Sequence, residues 1–131
     1  LHHIGEVVPI TPVPLTAKAI TMLKKDSIDR TELIDTIARI YASLINDHRK
    51  IIIDTAYRHY DEVYAALING EKHHVRIDEQ WLMDDAKRIT DEALAILERR
   101  GIVKFNNNQI IINTQKRHFI EYYSNAITHL F

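Results

Sequence analysis

Eight histidines and eighteen carboxylates in 131 residues supply the usual materials of acid–base and metal chemistry. His73 and Asp78 stand with four residues between them. A carboxylate that orients an imidazole can make it a base, able to take a proton from a hydroxyl. At this composition roughly 0.6 such pairs arise by chance, so the spacing alone carries little. Glu71-Lys72-His73-His74 holds a single Glu-x-x-His. A di-metal site in a helix bundle needs two of these and two further carboxylates. A zinc hydrolase wants His-Glu-x-x-His, which the sequence lacks. With His2-His3 also solvent-facing by pattern, surface histidines are the plainer reading. Tyr57, Tyr60, Tyr64, Tyr122 and Tyr123 offer rings for stacking, but tyrosines at helical spacing more often edge a core. No cysteine is present, which excludes disulfides, thiolate metal sites and cysteine catalysis. No residue is therefore assigned a catalytic, metal or cofactor-binding role.

The elements that would position these residues are mostly helical. Three glycines and three prolines leave little room for long loops. A hydrophobic content of 46% with 27% charged residues is ordinary for one globular domain. A formal charge of −1 gives no general attraction to nucleic acid or anionic lipid. No run approaches the ~18 apolar residues of a membrane span. No signal peptide is seen, and the chain opens on Leu1 without Met, which reads as a piece of something longer.

Residues 1–14 carry prolines at 9, 12 and 14, and the spacing predicts an extended, Pro-rich lead-in. Thr11 then suits a cap and Pro14 a first helical turn. A short helix follows from Leu15 to Lys25, and Asp26-Ser27-Ile28-Asp29 reads as a break. Asp29 and Glu32 resemble a capping box. They open a second helix to about Asn46, with Leu33, Ile37, Ile40 and Leu44 in line and Ile34, Tyr41 and Ile45 widening the stripe. Ile51-Ile52-Ile53 is ambiguous. A third helix is expected from Asp54 or Thr55 to Ile68. Asp78 caps a fourth helix to Arg100, with Trp81 or Leu82, Ala86, Ile89, Ala93, Ile96 and Leu97 inward, stopped by Gly101. Ile102–Phe105 and Ile110–Ile112 flank an Asn-rich turn and read as a hairpin. Thr114 caps a fifth helix. Its inward residues are Phe119, Ile120, Tyr123, Ile127 and Leu130, and Tyr122, Asn125 and His129 lie within reach of one another on a neighbouring face.

The expected fold is thus mainly α: five helices, with one small β-hairpin before the last. Helices followed by a hairpin also allow a winged-helix arrangement. A DNA-binding winged helix would put the fourth helix in the major groove. That helix carries Asp78, Glu79, Asp84, Asp85, Asp91, Glu92 and Glu98 against Lys87, Arg88, Arg99 and Arg100. Seven acids against four bases repel phosphate, so no nucleic-acid partner is expected. A winged-helix regulator or protein-interaction module stays open as the alternative class.

Two stretches carry a resemblance. Tyr122-Tyr123, one residue, Asn125, three residues, His129, then Leu130-Phe131 resembles the tail of the large glycerol-3-phosphate and dihydroxyacetone-phosphate acyltransferases, including the bacterial membrane-type enzymes. Val8-Pro9-Ile10-Thr11-Pro12-Val13-Pro14-Leu15, with Ala17 and Ala19, resembles the segment that follows the catalytic domain in that family, and Arg30-Thr31-Glu32-Leu33 its acidic helix start. The likeness covers the layout of nearly the whole chain and is specific at its ends. It implies a C-terminal accessory domain of an enzyme of phospholipid synthesis. The parent moves an acyl group from acyl-carrier protein or acyl-coenzyme A to glycerol 3-phosphate, at the cytoplasmic face of the membrane and without a cofactor. The implied partner is the upstream catalytic domain of the same chain, with membrane contact through that parent; the piece itself is expected to be soluble. The spacing of His73 and Asp78 is that of the family's His-Asp pair, yet they fall after the catalytic domain in this alignment. No Phe-Pro-Glu-Gly-like turn accompanies them. Thr11, Pro12, Tyr122, Tyr123, Asn125 and His129 match the family's segments, and a structural role is implied for them.

Overall fold

A computed structural model describes residues 8–47, 51–53 and 79–128. The predicted helix over 54–68 and the pair His73 and Asp78 lie outside the described residues, as do Glu71, His74 and His129.

Strand β1 (Val8–Ile10) pairs in parallel with β3 (Ile51–Ile53). Of the lead-in predicted over 1–14, Val8–Ile10 is extended as expected, but it forms a ladder, at an edge where Pro9 is tolerated; residues 12–14 are helical instead, and residues 1–7 lie outside the described residues. Helix α1 (Pro12–Leu23) begins three residues earlier than the prolines suggest. Pro12 and Pro14 occupy its first turn, where the missing N–H groups would have had no partner within the helix anyway. Thr11 stands at the cap with an extended backbone, but its side chain makes no capping bond. The helix ends at Lys24 in the left-handed region, φ 55°, whose N–H donates to the Ile20 carbonyl.

The expected break at 26–29 is instead a third strand of the hairpin sheet. β2 (Ser27–Asp29) pairs antiparallel with β5 (Gln109–Ile112), which pairs with β4 (Val103–Asn106). One apolar residue, the fully buried Ile28, is too short a signal to read as alternation. Asn107 turns the hairpin at φ 59°, a conformation asparagine tolerates better than most residues. Asp29 also opens α2 (Arg30–Asp47), its Oδ1 accepting from Thr31 N at 2.9 Å. The reciprocal half of the box is absent, because Glu32 turns to the Lys25 ammonium at 2.8 Å.

Helix α3 (Glu79–Arg99) ends at Gly101, φ 71°. A Cβ there would meet Lys116 Nζ at 3.0 Å. Gly101→Ala should therefore lose about 1 kcal/mol in a urea titration, from the left-handed backbone and the displaced lysine. A 3-10 turn (Thr114–Lys116) leads into α4 (Arg117–Asn125). Asn113, not Thr114, caps this 3-10 turn: its Oδ1 accepts from Gln115 N at 3.1 Å, and its Nδ2 donates to the Gly101 carbonyl at 3.1 Å, while Lys116 stands at the start of α4 without a capping bond.

The fold is mainly helical, with four α-helices among the described residues and a three-stranded sheet of order β2-β5-β4. Among the described residues from α1 onward, apart from β3, the order helix, strand, helix, helix and two-stranded wing, with the first strand against the last, is that of the winged-helix plan. Residues 48–78, which include β3, stand between its second and third helices. The core joins Leu15, Ile20, Ile28, Leu33, Ile37, Leu97, Ile110 and Ile112, all buried. On α3 the inward line is Ala86, Ile89, Ala93 and Leu97, with Leu94 added. Thr16 is fully buried on α1 and its hydroxyl finds no hydrogen-bond partner among the described residues. Thr16→Val keeps the shape and removes that hydroxyl. It should raise stability by about 1 kcal/mol, read as a higher urea midpoint at unchanged slope.

Candidate functional site

The two stretches that carry the resemblance lie at opposite ends of the sequence. The fold puts them on one helix pair, since α1 packs more extensively on α4 than on any other element. α4 starts where α1 ends: Arg117 donates to the Lys25 carbonyl at 3.3 Å and to Asp26 Oδ1 at 2.7 Å. From there α4 folds back over α1, burying Ile120 and Ser124, and Ile127 is buried just past its end. Neighbours on a helix point about 100° apart, and α4 buries only the narrow line of Ile120 and Ser124, which leaves Phe119 to its side. Phe119 was expected in the buried stripe and is 41% exposed instead.

The rest of the motif faces outward too. Tyr122 is 72% exposed and Asn125 is exposed, and neither makes a side-chain hydrogen bond among the described residues. The expectation that a tyrosine at this spacing edges the core thus fails for Tyr122. Tyr123 is half-buried against the core. Its hydroxyl accepts a hydrogen bond from Arg100, whose guanidinium carbon lies 5.8 Å from the ring centre. The Tyr122 and Tyr123 rings meet edge to face at 5.8 Å, and His118 and Phe119 lie 4.2 Å apart. Lys116 donates to the Arg100 carbonyl at 3.0 Å. The result is a surface strip of aromatic rings bordered by cations. Arg99, Arg100 and Lys116 have no carboxylate partner among the described residues.

A second cluster lies inside and escaped the sequence reading. Tyr41 on α2 is hydrogen-bonded to Asp85 on α3, and both are buried. Asp85 also accepts from Arg88 one turn on. Burial first, then the Asp85 charge and hydrogen bond, push the Tyr41 hydroxyl far above its usual range, against a smaller opposing effect of Arg88. A signal existed: Asp85 stands four residues before Ile89 and three after Leu82, on the inward line. A phenol held protonated only in the folded state stabilises fully below its unfolded pKa of about 10. Above that pH the unfolded chain gives up its proton first, and stability falls by about 1.4 kcal/mol per pH unit. Tyr41→Phe should flatten the alkaline limb of a stability–pH curve by that slope between pH 10 and 12.

The outward line of α3 runs Gln80, Asp84, Lys87, Asp91, Ala95 and Glu98. It holds three acids and one lysine, and Asp91 is paired with Arg30. Near the end of α1, Met22, Leu23, Thr36, Arg39, Ile40 and Ser43 line a shallow, open groove. Among the described residues no three of His, Asp and Glu gather as a metal site would require, and no helix is long and apolar enough to cross a membrane. No family model, curated protein or solved structure matches the chain.

Proposed function

We propose that this chain is the non-catalytic C-terminal domain of a glycerol-3-phosphate 1-O-acyltransferase-like enzyme. One observation carries the reading. The Thr11-Pro12 segment and the Tyr122-Tyr123-x-Asn125 segment, matched independently and more than a hundred residues apart, belong to the two helices that pack most closely on each other. A chance pair of motif matches has no reason to meet in space. In this reading the parent takes its acyl group from acyl-carrier protein or acyl-coenzyme A, acts at the cytoplasmic face of a membrane, and keeps its His-Asp machinery upstream. The domain supplies no reacting group and braces its neighbour.

The winged-helix plan favours a second reading, a transcriptional regulator or interaction module. The outward face of α3, where a regulator would read the major groove, is mostly acidic, and acids there oppose phosphate. One set of measurements separates the two. The 131-residue chain is assayed for acyl transfer to glycerol 3-phosphate alone, and again joined to its own upstream sequence. The expected result is no turnover alone, turnover when joined, and a His-x-x-x-x-Asp box in the upstream sequence. Turnover by the isolated chain, or duplex DNA binding that falls steeply with salt, would overturn the reading.

A further inference from the structure

We infer that α4 pairs with the α4 of a second copy of this chain, side by side and parallel, along the seam Phe119, Tyr122 and Ala126. The pairing is independent of the function proposed above. These residues stand three and four apart, the spacing at which two helices lay a common stripe against each other. Ala126 follows the last residue of α4 and keeps a helical backbone, φ −60° and ψ −26°. All three are left in solvent by the packing of the domain itself, Tyr122 most of all at 72%. Aromatic rings with arginine beside them are the side chains that dominate protein interfaces once covered.

The charges choose the occupant and its direction. The neighbours of Tyr122 along the helix point about 100° to either side of it. Tyr123 marks one edge, where Arg100 donates to its hydroxyl and Lys116 donates to the Arg100 carbonyl. Glu121 marks the other edge, exposed and without a hydrogen bond or ion pair among the described residues. One edge is cationic and the other acidic, so the face is complementary to itself. A two-fold axis running along the helices sets the cations of each copy against Glu121 of the other. Antiparallel helices would set like edges together. A nine-residue helix is only about 14 Å long. The contact therefore falls below the ~1,200 Å² of a stable interface, and the dimer is a weak one.

The chain has no cysteine, so a single introduced thiol reports its own neighbour. Phe119→Cys, Tyr122→Cys and Ala126→Cys are each treated with the thiol oxidant diamide at roughly 0.3 mM protein, where a weak dimer is populated. Lys87→Cys, on the outward face of α3, is the control. All three seam variants should cross-link, because parallel helices hold each seam position against its own counterpart, and the control should not. Sedimentation equilibrium of the wild type should show monomer and dimer in exchange. Tyr122→Ala should weaken the dimer at least tenfold. Glu121→Lys should weaken it about fivefold at low salt and less at high salt. Cross-linking at position 122 alone is the mark of antiparallel helices and overturns the inference. A dimer indifferent to both Tyr122→Ala and Glu121→Lys overturns it as well. So does a wild type that stays monomeric throughout; if that monomer binds phospholipid vesicles and Tyr122→Ala releases it, the rings belong to a lipid surface. None of these measurements reads acyl transfer, so their failure leaves the proposed function to its own experiment.

Discussion

Asp85→Ala should destabilise the domain by about 3 kcal/mol, the lower end of what breaking a buried ion pair costs, because Arg88 keeps some access to water. The loss has two sources. The Arg88 guanidinium is left half-buried without its carboxylate, and the Tyr41 hydroxyl, pinned between α2 and α3, loses its acceptor. Asp85→Asn keeps an oxygen for Tyr41 and gives up only the charge, so it should cost less. Joint replacement of Asp85 and Arg88 by leucine and methionine should recover much of the deficit, since apolar residues of similar volume replace buried pairs well. Urea denaturation of the four proteins checks the order. Equal losses for the alanine and asparagine variants would show that Tyr41 gains nothing from this acceptor.

Ile120→Ala should cost about 3 kcal/mol, the usual range for deleting a buried isoleucine side chain. Ile120 is 1% exposed and sits in the short line with Ser124 and Ile127 by which α4 holds α1. A nine-residue helix has little stability of its own, so the loss should concentrate there. Hydrogen exchange should quicken first across 117–125, well before the hairpin. A uniform rise in exchange over the whole domain would mean that α4 does not open separately.

Much of this architecture was readable from periodicity. The lines Leu33, Ile37, Ile40, Leu44 and Ala86, Ile89, Ala93, Leu97 are long enough to fix both faces of two long helices, and all eight residues are buried. The hairpin was readable because two apolar runs flank a turn of asparagines. What escaped was short or conditional. β2 has a single buried residue and acquires its strand character from a partner 82 positions away. The start of α1 was misjudged because prolines that break a helix interior are harmless in its first turn. The candidate site divides in the same way. That the two end segments are helical could be read from their apolar spacing. That Phe119 and Tyr122 face water could not, because on a helix of two and a half turns a mixed stripe leaves the buried side open. Asp85 went unnoticed because a charged residue on an inward line looks like a solvated one until its partner, here Tyr41, is known.

The register of the small sheet also has a kinetic side. β4 and β5 close over two residues, Asn107 and Asn108, and can zip within microseconds. Joining β2 to β5 instead means closing a loop of some eighty residues, and that entropy must be surrendered before Ile28 gains anything by burial. Refolding should therefore show an early wing and a late-arriving outer strand. An Ile28→Val change should speed unfolding far more than it slows folding.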